Sequence, residues 1–224
     1  AKLALDLDQQ NLWSTLSSFG IGRLTDSGFP GESAGVLNDP QHWRPVGQAT
    51  LAYGYGLSVT SLQLAQAYSV IAADGLRRPV SMIRVEEPPS TERVISIETA
   101  HALKSMLETA VSSIGTGQRA AINHFRVAGK TGTAWKSGVG GYSKDKYLAV
   151  FGGFAPVANP KLVAVVVINE PRGGAYYGGD VAAPVFSQII SGALRLLAIS
   201  PDALPEQVIT SLASAGMPQV EVDQ

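Results

Sequence analysis

Three segments in the second half of the chain have the composition of β-strands and follow one another closely. They run over Phe125–Trp135, Tyr147–Ala155 and Leu162–Asn169. Parallel strands need a crossover of a dozen or more residues, and the connections here are shorter than that. The pattern therefore predicts an antiparallel sheet. The third segment is almost entirely Val, Ala and Ile, which predicts a strand buried on both faces.

Helical periodicity occurs on both sides of this strand region. Ser58 or Thr60 can cap a helix that ends with Gly75 in the left-handed C′ position. Ser96 can cap a second helix that runs to about Ser113. The apolar faces are Leu62, Ala65, Tyr68, Ile71 and Ala72 in the first, and Ile97, Ala100, Leu103, Met106, Leu107 and Ala110 in the second. Further helical patterns cover residues 3–19, as one or two helices, and Ala183–Ile199.

Composition restricts the class of protein further. The 224 residues are 45% hydrophobic and only 16% charged, and they include 24 Gly and 13 Pro. Such a chain is globular, and many turns punctuate it, so one α+β domain is expected. A net charge of −1 without a basic cluster argues against nucleic-acid binding. The absence of cysteine and the scattered His42, His101 and His124 argue against a metal site.

A glycine-rich loop predicted over Thr25–Pro45 contains a possible serine nucleophile. Gly31–Gly35 matches the G-x-S-x-G pattern of α/β-hydrolases, and Asp74 and His101 follow in the expected order. That motif requires a strand before the serine and a helix after it, whereas here turn residues flank it. An esterase that uses Ser33 remains the alternative enzymatic hypothesis.

The first strand carries an unusual cation. Alternation places Ala128, Lys130, Gly132 and Ala134 on one face, so a single lysine lies among small side chains with free space beside it. Glycine within a strand often marks close approach of a ligand, and an edge strand can bind an extended peptide. An ordinary edge strand protected by a lysine is the competing interpretation.

Several motifs in this order resemble those of division-type class B penicillin-binding proteins. K-T-G occurs at Lys130–Gly132, and family-like segments are present over residues 28–32, 53–60, 176–179 and 183–186. The resemblance covers roughly residues 1–200. It implies the C-terminal half of a penicillin-binding/β-lactamase-like transpeptidase fold, an antiparallel sheet flanked by helices.

The resemblance also implies roles for individual residues. Lys130 would supply positive charge near the nucleophile, and Thr131 would bind the terminal carboxylate of the substrate. Gly132 would let the peptide approach, and the Thr133 N–H would be an oxyanion-hole donor. The expected substrate-binding residues are Tyr147, Tyr176 and Tyr177, which would form an aromatic wall, together with Gly178, Tyr55 and Trp135. Trp135 occupies a position where relatives often have a basic residue.

Two family motifs are missing from the chain. It contains no S-x-N triplet, and its only S-x-x-K is Ser143–Lys146, which we expect in a solvated turn. In the family both motifs come earlier in the sequence. We therefore expect residues 1–204 to be the C-terminal part of a transpeptidase domain, residues 205–224 to be a tail, and the serine nucleophile to lie before residue 1.

The resemblance implies the partners and location of the parent protein. The expected ligands are peptidoglycan stem peptides ending in D-Ala-D-Ala and β-lactams, with no metal and no cofactor. Further expected partners are cell-division proteins and the N-terminal part of the same domain. The expected location is the periplasmic face of the bacterial inner membrane, with an anchoring helix outside this chain. A non-catalytic binding module with the same fold remains a second alternative.

Overall fold

The computed structural model describes residues 1–87, 89–138 and 141–203, which form mixed helices and strands. The predicted tail over residues 205–224 lies outside the described part. The helices are α1 (Lys2–Asp6), α2 (Gln9–Ser18), α3 (Pro45–Leu51), α4 (Ser61–Ala72), α5 (Ile97–Thr109), α6 (Gly178–Val181) and α7 (Ala183–Leu196). The strands are β1 (Val36–Leu37), β2 (Leu57–Ser58), β3 (Leu76–Arg77), β4 (Glu92–Arg93), β5 (Ala128–Gly138), β6 (Gly141–Ala155) and β7 (Leu162–Asn169).

The central sheet has the order β5-β6-β7, and both pairings are antiparallel, which confirms the α+β prediction. In the register, Lys130 lies opposite Gly152, and Trp135 lies opposite Tyr147. Strand β5 has the predicted length but lies three residues further along the chain, and β6 begins six residues earlier than predicted. Ser143 and Lys146 are consequently part of β6 and not of a turn, so the prediction for this pair is wrong.

One face of the sheet packs against α7. The rings of Phe151 on β6 and Phe186 on α7 are 4.7 Å apart, and both side chains are fully buried. Burying a phenylalanine stabilises a fold by about 2 kcal/mol relative to leaving it exposed. The same core contains Val111, Ala120, Val127, Ala155, Ala182, Ala183, Ile190 and Leu194.

The opposite face packs against α4 and α5. Phe154 is fully buried there, with Tyr68 of α4 packed at its side. Burial raises the pKa of Tyr68 to about 12, because the phenolate would lose its hydration. A Cβ at Gly152 would overlap the Tyr68 ring, so a glycine on β6 permits this close approach. The sheet is therefore the middle layer between two sets of helices.

The prediction that the third strand is buried on both faces is wrong. All eight residues of β7 keep some solvent exposure, and Val167 is 40% exposed. The reason is its position, since within the described residues β7 pairs only with β6 and forms an edge of the sheet. A run of Val, Ala and Ile indicates a strand but does not report its place in the sheet.

Helix α4 begins as predicted and ends slightly differently. Thr60 and Gln63 form a reciprocal capping box, in which each side chain accepts a hydrogen bond from the backbone N–H of the other residue. At the other end Asp74 takes the left-handed C′ position with φ 55°, and Gly75 comes one residue later with φ 86°. The predicted apolar stripe is only partly buried: Ala72 is buried, whereas Leu62, Ala65, Tyr68 and Ile71 are intermediate.

The other helices match their predictions with shifts at the ends. Ser96 caps α5 as expected, but α5 ends at Thr109, and the predicted apolar residues Ile97 and Met106 are exposed. Helix α7 ends at Leu196 and not at Ile199. The opening segment forms two helices separated at Leu7 and Asp8, and α3 was not predicted.

Gln63 joins the N-terminal third of the chain to α4. Its side chain is fully buried, and Nε2 faces the carbonyl oxygens of Gly20 at 3.3 Å, Arg23 at 2.6 Å and Ala34 at 2.7 Å. Oε1 accepts from the Thr60 N–H at 2.8 Å. A buried amide thus satisfies carbonyls of a region that has little apolar core.

We predict that Gln63→Leu destabilises the protein by about 3 kcal/mol, since it leaves buried carbonyls without donors. Urea unfolding of the variant and the wild type measures the difference. Gln10→Leu, on the exposed side of α2, is the control and should change stability by less than about 0.5 kcal/mol. Equal unfolding free energies for wild type and Gln63→Leu would contradict this role.

Candidate active site

The main-chain groups along one edge of β5 face away from β6. The N–H of Trp135 donates to the Tyr55 hydroxyl at 3.2 Å, so it points to the side opposite β6. Main-chain N–H and C=O groups alternate direction along a strand, and Thr131 and Thr133 precede Trp135 in steps of two. Their main-chain groups therefore face the same side. We call this row of Thr131, Thr133 and Trp135 groups the free edge of β5.

Lys130 projects beside the free edge. Its side chain is exposed, and Nζ donates to the Thr131 carbonyl at 3.0 Å and to Thr131 Oγ1 at 3.2 Å. On the same face Gly132 is exposed, and a Cβ there would meet only Val150 at an ordinary 3.6 Å. The arrangement concentrates positive charge and hydroxyl groups at one point of an accessible strand edge, which suits a carboxylate ligand.

The hydroxyls of Thr131 and Thr133 are held from the other face. Thr133 Oγ1 accepts from the Gly178 N–H at 3.1 Å, and Thr131 Oγ1 lies 2.8 Å from Thr116 Oγ1. A Cβ at Gly178 would overlap the carbonyl oxygens of Gly132 and Val150. Glycine at the start of α6 therefore lets this helix rest directly on the sheet. Sequence analysis missed Thr116, because no motif marks it.

The three predicted wall tyrosines lie together. Tyr147 on β6 stacks on Tyr176 with ring centroids 4.2 Å apart, and Tyr176 contacts Tyr177 at 4.4 Å. The Tyr176 hydroxyl donates to the Tyr177 hydroxyl at 3.2 Å, and this interaction raises the pKa of Tyr176. Stacked aromatic rings that carry hydroxyl groups form a surface that suits the apolar part of a polar ligand.

Tyr55 and Trp135 extend the aromatic surface along the strand. Tyr55 makes edge contacts with Tyr142 at 4.9 Å and Tyr53 at 5.8 Å. Trp135 is 49% exposed and lies directly opposite Tyr147 in the sheet. All ten predicted site residues lie on β5, on β6, on α6 or on segments that contact these three elements.

Glu170 fixes the segment that leads to the wall tyrosines. Its N–H donates to the Tyr147 carbonyl at 2.9 Å, and its carboxylate lies 2.6 Å from Lys136 Nζ and 4.0 Å from Lys146 Nζ. The hydrogen bond from Lys136 lowers the pKa of Glu170. No sequence pattern marks this residue, because the charges meet only after β5, β6 and β7 have paired.

Ser33 does not occupy a nucleophile elbow. Residues 24–35 contain no regular strand or helix, and Ser33 Oγ accepts from the Gly35 N–H at 3.2 Å. The proposed partners His101 and Asp74 instead contact each other at 3.2 Å, and Asp74 binds Lys104 at 2.6 Å. Within the described residues no group of three or more His, Asp or Glu side chains could hold a metal ion. Among the described residues, none of the helices combines the length and the hydrophobicity that a bilayer-spanning segment needs.

Residues 1–191 match the family described as the penicillin binding protein transpeptidase domain. The chain belongs to this family. Among curated relatives, the peptidoglycan D,D-transpeptidase FtsI of Escherichia coli K12 is 44% identical over 204 residues. A probable peptidoglycan D,D-transpeptidase PenA of Neisseria meningitidis is 40% identical over 201 residues. These alignments cover 91% and 90% of this chain and 35% of each relative, about a third of their length.

Solved structures confirm the fold of this chain. The transpeptidase domain of Burkholderia pseudomallei penicillin-binding protein 3 matches with a TM-score of 0.85 and 43% identity. A structure described as a peptidoglycan glycosyltransferase from Burkholderia ambifaria matches with a TM-score of 0.81 and 39% identity. Each match covers 91% of the chain, and 62% and 61% of the solved chains respectively.

We predict that Glu170→Gln lowers the melting temperature at pH 7 and that this difference shrinks in acid. The pKa of Glu170 in the folded state lies below its ordinary value of 4.5, so the charged pair stabilises the fold above that pH. The contribution is lost as the pH falls through the folded-state pKa. Thermal unfolding of both proteins between pH 3 and pH 7 measures it.

Glu86→Gln provides the control for this prediction. Glu86 is exposed and forms no ion pair with the described residues. It should give the same melting temperature as the wild type at every pH. A Glu170→Gln deficit that stays constant down to pH 3 would show that the ion pair is not its cause.

Proposed function

We propose that the protein containing this chain is a serine-type D,D-transpeptidase that cross-links septal peptidoglycan and is acylated by β-lactams. The free edge of β5 carries this proposal. It presents the Thr133 N–H and C=O beside Lys130 and Thr131, in the K-T-G motif of a chain that belongs to the transpeptidase family. The serine nucleophile comes from residues that precede residue 1 of this chain.

The substrate would bind as an added strand antiparallel to β5. Its terminal carboxylate lies at Lys130 and Thr131, where an ammonium and a hydroxyl can donate to it. The carbonyl of the penultimate D-alanine then lies at the Thr133 N–H. That N–H stabilises the negative charge on the carbonyl oxygen in the tetrahedral intermediate, as an oxyanion-hole donor.

Acyl transfer proceeds in two balanced steps. The serine oxygen attacks the penultimate carbonyl carbon, a C–O bond forms, and the C–N bond to the terminal D-alanine breaks while the leaving amine takes a proton. An amine of a neighbouring strand then attacks the ester and releases the serine hydroxyl. A β-lactam follows the first step only, because its opened ring keeps the leaving nitrogen attached to the acyl group.

The surrounding residues would shape the binding cleft. Tyr147, Tyr176 and Tyr177 form its aromatic wall, and Gly178 lets α6 approach closely enough to hold the Thr133 hydroxyl. Gly132 leaves room for the peptide. Tyr55 and Trp135 bound the cleft on the side beyond Thr133.

The proposal extends to the whole protein. Residues 1–204 form the C-terminal part of the transpeptidase domain, residues 205–224 form a tail, and the preceding part of the domain covers the exposed Lys130 face. The protein lies at the periplasmic face of the inner membrane, anchored by a helix outside this chain, and acts with cell-division proteins. The relatives are named as peptidoglycan D,D-transpeptidases, which supports the enzymatic part of this proposal.

We predict that this 224-residue chain alone forms no covalent adduct with a labelled penicillin. The S-x-x-K serine of the family would be absent. In the only S-x-x-K of this chain, Lys146 lies on strand β6 with its Nζ 4.0 Å from the Glu170 carboxylate. The preceding segment, supplied in the same polypeptide or as a companion chain, should restore labelling. Gel fluorescence after incubation measures both. Labelling of the chain alone would contradict the assignment, and failure to label the complete protein would favour a non-catalytic binding module.

We predict that Thr131→Val in the complete protein lowers the second-order rate constant for acylation by penicillin about 10- to 100-fold. The lost hydrogen bond to a carboxylate is of the strong, charge-assisted kind. Thr131→Ser keeps the hydroxyl and should retain most of the rate. Stopped-flow or gel-based acylation rates measure both variants. Equal losses in the two variants would show that the hydroxyl is not what the ligand uses.

A further inference from the structure

Two of the outward main-chain groups on the free edge of β5 already have partners within the chain. The Thr131 carbonyl accepts from Lys130 Nζ at 3.0 Å, and the Trp135 N–H donates to the Tyr55 hydroxyl at 3.2 Å. Between them, no hydrogen bond to the main chain of Thr133 occurs among the described residues. The part of the edge that is open to an added strand is therefore short.

Tyr55 is held in this position by other rings. It makes edge contacts with Tyr142 at 4.9 Å, near the start of β6, and with Tyr53 at 5.8 Å. Its side chain is partly buried, whereas Tyr53 is 60% exposed. The hydroxyl is thus fixed at the strand edge by its neighbours.

We propose that Tyr55 limits strand addition on β5 to the single ligand residue that lies opposite Thr133. This inference rests on the proposed function, because it takes the ligand to be an extended peptide with its carboxylate at Lys130. In an antiparallel pair the hydrogen-bonding residues of the ligand are two apart. The residue two positions before the penultimate one would place its carbonyl at the Trp135 N–H, and the Tyr55 hydroxyl occupies that donor.

Tyr55 would therefore affect which ligand residues are preferred before the penultimate one. Beyond the penultimate residue the ligand gains no main-chain hydrogen bond from β5, so it leaves the strand and its side chains contact Trp135 and the neighbouring tyrosines. Tyr55 acts on the ligand through the Trp135 N–H and is a positioning residue. Its effect should appear in ligand selectivity rather than in the acylation chemistry.

Two ligands and three proteins test this proposal. Both ligands end in X-D-Ala-D-Ala and carry an N-acetyl group on X, whose carbonyl corresponds to the one at Trp135. In the second ligand, the acetyl amide is replaced by two methylene groups, which removes this acceptor. The proteins are the complete wild type, Tyr55→Phe and, as a matched control in the same aromatic cluster, Tyr53→Phe. Competition with a fluorescent penicillin gives the ratio of the two inhibition constants for each protein.

The wild type and Tyr53→Phe should bind the two ligands with a ratio near one. Tyr55→Phe frees the Trp135 N–H and should favour the acetylated ligand about fivefold, the value of one net hydrogen bond. Comparing two ligands on each protein cancels a general loss of activity in a variant. If Tyr55→Phe and the wild type give the same ratio of inhibition constants, the proposal for Tyr55 is wrong. Labelling of the wild type by penicillin would in that case still support the transpeptidase function. No penicillin labelling of the wild type overturns both.

Discussion

The rest of the structure depends on the outer edge of β5, which pairs with no other strand among the described residues. When one edge of a strand pairs with no other strand, the strand is held in place by the pairing at its other edge and by the packing of its two faces. Strand β5 pairs with β6 over nearly its whole length, and buried layers of α7 and of α4 and α5 cover the two faces at its first residues. The residues that follow these first ones on β5 carry the K-T-G motif, and they can consequently remain accessible without losing their position.

Glycines bring the layers close enough for this arrangement. At Gly129 a Cβ would overlap Gly152 O and the Phe151 ring, and Gly152 and Gly178 similarly admit Tyr68 and the start of α6. Each glycine lowers the intrinsic preference for regular structure, and the close packing offsets that cost. The result places the Thr133 hydroxyl, the Thr131 hydroxyl and the aromatic wall within one continuous region of the sheet.

Local patterns predicted the elements that depend on local chemistry. Strand alternation, the Ser96 cap and the order of the family motifs located the sheet, α5 and the K-T-G strand before any contact was known. Other features depend on which strands become neighbours, and local sequence patterns do not encode this. They are the partial burial of β7, the location of Ser143 and Lys146 on a strand, and the ion pairs of Glu170. The role of Gln63 could not be predicted from local patterns either, because its carbonyl partners lie 29 to 43 residues away in the sequence.

In the proposed reaction this chain supplies the strand against which the acylated ligand binds, and another part of the protein supplies the nucleophile. Peptide mapping by mass spectrometry of the complete protein after reaction with a penicillin tests this division of roles. We predict a single adduct on a serine outside residues 1–224. An adduct on Ser33, Ser143 or any other serine of this chain would contradict it.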